Sequence, residues 1–159
     1  MKQFFLSIAF LPMIAVAALA QTGLTLQGAN ADADLPVEVS SDSLTVDQQN
    51  QSAVFNGNAK AMQGDLVLEA DNLTVRYSED SGDITSVTGT GNVRFSNGVE
   101  SAASEKVAFD VSTQILTMTG AVIMRQGQTR VSANTLILNL ATNDAELNGN
   151  VRTQFVPRN

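Results

Sequence analysis

Four polar residues recur at a regular interval. Asp42, Asp71, Glu105 and Asn134 stand 29, 34 and 29 residues apart, each two positions before an aliphatic side chain (Leu44, Leu73, Val107, Leu136). A ladder of carboxylates has two chemical uses: it could hold cations, or two of its members could meet in a groove as the acid and base of a glycosidase. The fourth rung is neutral. Side-chain oxygens before a strand commonly accept backbone N–H groups at a corner, so turn chemistry is the expectation here. The segment Glu79, Asp80, Ser81, Gly82, Asp83 has the acidity of a calcium loop but lacks the alternating carboxylate order and the distant glutamate, and it reads as a solvated loop. The chain has no histidine and no cysteine. That removes thiol nucleophiles, disulfides, Cys/His zinc sites and histidine bases. Lys60 and Lys106 fall within strand patterns without a reactive neighbour. The expectation is therefore no enzyme: no catalytic residue, no metal ligand and no cofactor.

The elements that hold this ladder repeat with it. Gly57, Gly91, Gly120 and Gly149 follow at spacings of 34, 29 and 29, and Gly64, Gly98 and Gly127 each lie seven residues after the first glycine of their unit. Both series contain one step five residues longer than the rest, which a single insertion at Ser78 to Asp83 explains. A fixed period of this size marks units that cannot bury their apolar faces alone and must stack. Within each unit the apolar period is two, as in Leu73/Val75/Tyr77, Val107/Phe109/Val111 and Leu136/Leu138/Leu140, which predicts strands. The glycines fit corners that need positive φ or a sharp bend. One leading strand and about four per unit give up to about sixteen short antiparallel strands, an all-β sandwich or solenoid of V-shaped strands with one dry and one wet face. One copy is weak, since Glu100 stands where Leu66 stands in its unit.

Residues 1–20 (MKQFFLSIAFLPMIAVAALA) combine an early lysine, an apolar run and an A-x-A ending, the pattern of an exported signal peptide cleaved after Ala20. Residues 21–35 read as a flexible leader and 156–159 as a tail. The net charge of −7 disfavours nucleic acid and anionic membrane surfaces as partners. The inward stripe is slim, mostly Val, Leu and Ala with Tyr77, Phe95 and Phe109 as its aromatics. Such a stripe either fills a closed core or leaves a trough for a lipid chain. Exposing an acyl chain of about twelve carbons to water costs on the order of 10 kcal/mol at about 0.8 kcal/mol per methylene, so a continuous apolar trough would ease its passage. No helix is predicted to cover the strand edges near Val37 and Val151, which favours head-to-tail strand addition between copies.

Four segments in order, P-V-E-V-S-S-D-S-L at Pro36 to Leu44, A-V-F-N-G-N-A at Ala53 to Ala59, L-E-A-D-N-L at Leu68 to Leu73 and L-T-M-T-G-A-V at Leu116 to Val122, resemble the OstA-like family of periplasmic lipopolysaccharide-transport proteins of the LptA type, over residues 36–155. The resemblance implies a β-jellyroll domain in the periplasm that stacks end to end with itself and with LptC-like inner-membrane and LptD-like outer-membrane β-jellyroll partners. It also implies that the acyl chains of lipid A run inside the stack. Carried over by position, Val37, Val39, Phe95, Phe109 and Val111 are the expected lipid contacts, supported by Leu66, Leu68, Leu73, Val75 and Val93. Two other readings stay open at this point: a membrane-anchored LptC-like relative, and a closed-core structural scaffold.

Overall fold

The computed structural model describes residues 35–155, together with the backbone pairing of Leu24 and Thr25. The expected signal peptide at 1–20, most of the expected leader at 21–35 and the expected tail at 156–159 lie outside the described residues. Eleven strands form one sheet: β1 (Leu24–Thr25), β2 (Glu38–Ser40), β3 (Ser43–Asp47), β4 (Ser52–Gln63), β5 (Leu66–Tyr77), β6 (Ile84–Ser96), β7 (Glu100–Asp110), β8 (Ile115–Gln126), β9 (Thr129–Asn139), β10 (Asp144–Asn148) and β11 (Arg152–Gln154). All pairs are antiparallel. From β2/β3 to β10/β11 each strand pairs with the next, a meander without crossovers.

The six long strands, β4 to β9, run through a corner at mid-length, where the pairing register shifts between each of them and the next. Each therefore supplies two arms, and the interrupted pairs β2/β3 and β10/β11 supply the rest, so the sixteen short segments of the sequence pattern are sixteen arms of fewer, bent strands. Arm A holds the tips at Gln63–Leu66, Ser96–Glu100 and Gln126–Thr129. Arm B holds the tips near Asp47, Tyr77, Asp110 and Asn139.

The two marker series of the sequence are the two halves of this corner. On β4, β6 and β8 a left-handed pair turns the chain: Gly57 and Asn58 at φ 78 and 47, Gly91 and Asn92 at 77 and 48, Gly120 and Ala121 at 85 and 46. Gly57 and Asn58 together oppose Asp71, Gly91 and Asn92 oppose Glu105, and Gly120 and Ala121 oppose Asn134. Two residues against one, with a left-handed glycine first, is a β-bulge that bends the strand. The other neighbour of each glycine crowds it from the opposite side, since a methyl group on Gly91 would lie 2.3 Å from Asp71 Oδ2. The amides of Asn58 and Asn92 donate to the carboxylates of Asp42 (2.9 Å) and Asp71 (3.0 and 3.1 Å). The ladder thus sits at the corner, but the expected backbone N–H donors are replaced: at Asp42 and Asp71 the oxygens accept from asparagine side chains across the strand pair.

The arm B hairpins carry a second ladder that the sequence reading passed over. Asp47 accepts from the backbone of Gln49 and Asn50, Asp110 from that of Thr113, and Asn139 from those of Ala141 and Thr142. The Asn50 amide holds the Asp47 carboxyl below its ordinary pKa, and the Ser112 hydroxyl does the same to Asp110. The inserted loop closes on itself, with Ser78 N donating to Asp83 O at 2.8 Å and Gly82 N to Ser78 O at 2.9 Å. Among the described residues no three acidic side chains gather to hold a metal ion.

Because side chains alternate through the corner, the inner faces of the two arms meet. The core cluster joins Val93, Phe95, Ala102, Val122 and Met124 of arm A to Leu73, Val107, Leu116, Met118, Leu136 and Leu138 of arm B. The arms form a V, and the core is the space between its limbs.

Candidate apolar trough

The space between the arms is filled unevenly. Around β8 and β9 it is closed: Met118 and Leu136 are fully buried, as nearly is Leu138. Toward β4 and β5 the limbs part, leaving an apolar cavity of about 270 Å³. Its arm A wall is Ala61, Met62, Leu66, Val67, Leu68 and Phe95. Its arm B wall is Ile84, Val87, Phe109, Val111, Leu116 and Leu140, with Val37 at the mouth. Gln63 and Gln114 are its only polar side chains. The lining offers apolar contact and almost no hydrogen-bonding group, so the ligand it suits is a hydrocarbon chain rather than a sugar or a peptide.

The apolar face does not stop at the cavity. At the β2/β3 edge Leu44 and Val46 pair in register with Phe55 and Ala53 on the inner face, yet both are more than half exposed, since among the described residues no further strand pairs with β3. At the other edge Val151 and Phe155 are exposed, at 49 % and 74 %. That edge is partly covered: Leu24 and Thr25 pair with Ala145 and Asp144 of β10, so two residues of the predicted leader are strand, while β11 pairs with β9 alone.

Of the ten residues picked out from the sequence, the fold brings six together on the cavity wall: Val37, Leu66, Leu68, Phe95, Phe109 and Val111. Leu73 and Val93 are buried beside the corner, Val75 is buried farther along arm B, paired with Ala53 and Val87, none of the three lines the cavity, and Val39 is half-buried on the inner row of β2, paired with Ala61. Phe55, Ile84, Val87 and Leu140 were not chosen. Phe55 packs on the core from the inner row of β4, and its place in the alternation could have identified it. Ile84 and Val87 follow the inserted loop, where the register slips and the alternation is interrupted. Met62 and Val67 sit on the wet parity but reach the cavity at the lip of arm A.

The weak copy has a structural role of its own. Glu100 is 4 % exposed on the inner tip of β7, where its backbone N–H donates to Asn97 Oδ1 at 2.7 Å and its carboxylate accepts from Asn97 at 3.2 Å and Gln126 at 2.6 Å. This polar cluster closes the arm A tip beside Ala102 and Met124, where another unit would have an aliphatic pair.

Residues 38–152 match the family model for the LptA/LptD N-terminal domain of lipopolysaccharide transport proteins. The chain belongs to that family. A protein of Rhizobium meliloti with no assigned function is 30% identical over 158 residues, covering 92% of this chain and 85% of its own length. The lipopolysaccharide export system protein LptA of Haemophilus influenzae is 23% identical over 137 residues, covering 79% of this chain and 80% of its own. In fold the chain is similar to LptH of Pseudomonas aeruginosa, described as the LptA-homologous periplasmic component of the lipopolysaccharide transport device. The TM-score is 0.72 at 14% identity, over 80% of this chain and 99% of that one. The expected OstA-like resemblance and the all-β jellyroll of V-shaped strands are both upheld, and the family is one of transport proteins rather than of enzymes.

Proposed function

We propose that this chain is a periplasmic lipopolysaccharide carrier that shelters the acyl chains of lipid A in the trough and spans part of the distance between inner and outer membranes by head-to-tail stacking. The observation that carries this reading is the carbon-lined cavity between the arms, which Val37 lines next to β2, with Leu44 and Val46 exposed on the inner row of β3 at the same sheet edge. At about 0.8 kcal/mol per methylene, such a lining recovers much of the cost of exposing an acyl chain, while slim Val, Leu and Ala side chains give no deep trap. The edge strands β2/β3 and β11 have an unpaired side among the described residues, which suits addition of a strand from an LptC-like neighbour, a second copy or an LptD-like neighbour.

Photo-crosslinkers at Val39, Leu68 or Phe95 should capture lipopolysaccharide, and one at the outward Thr88 should not. Adducts confined to Thr88 would sink the proposal. The stacking arm is read separately: sedimentation should show linear oligomers growing with concentration, and a monomer at every concentration would contradict it. Export with cleavage after Ala20 predicts a mature N-terminus at Gln21, which N-terminal sequencing of the periplasmic protein checks.

A further inference from the structure

The outer face of arm A carries a concentration of positive charge that the trough does not use. Residues paired across a sheet share a face. The row Lys60, Glu69, Arg94, Ala103, Ile123, Ser132, Arg152 therefore lies on one surface with the row Met62, Val67, Ser96, Ser101, Arg125, Arg130, Gln154. Five of the seven cations in residues 35–155 stand here, on a chain whose net charge is −7. The two anions of this face are Glu38, on the edge strand β2, and Glu69, which holds Lys60 at 3.3 Å in the ion pair found among the described residues. Arg94, Arg125, Arg130 and Arg152 are exposed; Arg94 stands directly across from Glu69 and shares a groove with it and Asp71 toward the corner, whereas no acidic residue pairs across the sheet with Arg125, Arg130 or Arg152.

Arg125 and Arg130 are directly opposed on β8 and β9, one residue from the tip of arm A. Like charges directly opposite in an antiparallel pair destabilise it, unless an anion lies between them. Beside them an outer groove is lined by Arg94, Arg125, Ser96, Ser101, Val67 and Ile123, with Glu69 as its one carboxylate, the one that already holds Lys60. Val67 and Phe95 border both this groove and the apolar trough, so the two sites meet at the lip of arm A.

We infer that this outer face binds the anionic headgroup of the same amphiphile whose acyl chains occupy the trough, with Arg125, Arg130 and Arg94 taking phosphate or carboxylate oxygens through their planar guanidinium forks. The inference rests on the proposed lipid-carrier reading. It adds that the headgroup is held around the lip of arm A rather than left free in water. An amphiphile gripped at both ends has a defined orientation in the trough, and the exposed anion contacts weaken with ionic strength.

The test compares the full mature chain and its Arg125→Gln/Arg130→Gln variant in titrations with diphosphorylated lipid A and with the same acylated disaccharide after phosphate removal. Wild type should bind the phosphorylated form about tenfold more tightly, a preference that shrinks on raising the salt. The variant should lose most of that preference while keeping its affinity for the dephosphorylated form and a melting temperature at least as high, since a like-charge pair is removed. Arg94→Gln alone should lose part of it. Equal wild-type affinities for the two forms, or an unchanged preference in the variants, overturn the headgroup site and leave the carrier reading standing. Binding of neither form overturns both. Competition by inorganic phosphate at concentrations comparable to the lipid shows a free-anion site and overturns the headgroup assignment.

Discussion

At β8 and β9 the two limbs of the V press Met118, Leu136 and Leu138 against Val122 and Met124 until these side chains are buried, whereas at β4 and β5 Ala61, Leu66 and Leu68 stay half-buried around open space. Both regions come from the same repeat, with the same corner and the same alternation. What separates them is side-chain bulk on the facing rows. Inner positions of β8 and β9 carry Met118, Met124, Leu136 and Leu138, whereas the inner-row residue that β4 presents to the cavity is Ala61. A repeat unit can thus serve as core or as conduit according to a few methylene groups.

Truncation separates the two regions most sharply. Leu136→Ala should cost about 2–5 kcal/mol in urea denaturation, because a sealed packing site leaves a cavity. Leu68→Ala, in the open region, should cost about 1 kcal/mol and weaken lipid capture instead. Equal losses of stability would erase the distinction. Gly91→Ala tests the corner that both regions share: it forces a methyl group into a left-handed backbone against Asp71 and should cost about 1–3 kcal/mol. Gly82→Ala meets no neighbouring atom and should cost less.

Filling the open region is the complementary change. Ala61→Phe should lower lipid affinity about tenfold, the equivalent of about 1.4 kcal/mol, while urea stability holds or rises. Unaltered lipid binding would show that the cavity is not the route.

Ala121 holds the corner position that asparagine holds in the other units, at φ 46. Ala121→Asn should stabilise by about 0.5–1 kcal/mol, since asparagine tolerates that conformation and alanine does not. The smallest effect is acid sensitivity at the arm B turns. Asp47 and Asp110 have lowered pKa values in the fold, so their stabilising contribution is complete above the ordinary aspartate pKa and fades as pH falls through the lowered ones. Denaturation midpoints of Asp47→Asn and Asp110→Asn measured from pH 6 down to pH 2 should converge on wild type at the acid end.

The repeat, the strands and their corners were legible because each rests on a local rule: alternation needs only neighbouring residues, and a left-handed corner needs a glycine. Six of the ten expected trough residues line one cavity for the same reason. Leu73 and Val93 share that inward parity but lie beside the corner, and parity carries no measure of distance from it; Val75 lies as far along its arm as Phe109 does, yet is buried against Ala53 and Val87 on the neighbouring strands. Glu100 read as a defect in the pattern, because its partners Asn97 and Gln126 come together only when β7 and β8 pair.

The amino-acid sequence by itself determined an all-β stack, the period of its units, the face each side chain takes and the absence of histidine and cysteine chemistry. Tertiary structure alone decided where the limbs of the V touch and where they part, which sheet edge meets Leu24 and Thr25, and that scattered arginines on β6, β8, β9 and β11 share one outer surface. The physical reason is range. Alternation and turns are set by residues adjacent in the chain, whereas a cavity or a charged face is set by side chains from strands that are distant in sequence and brought into register by pairing.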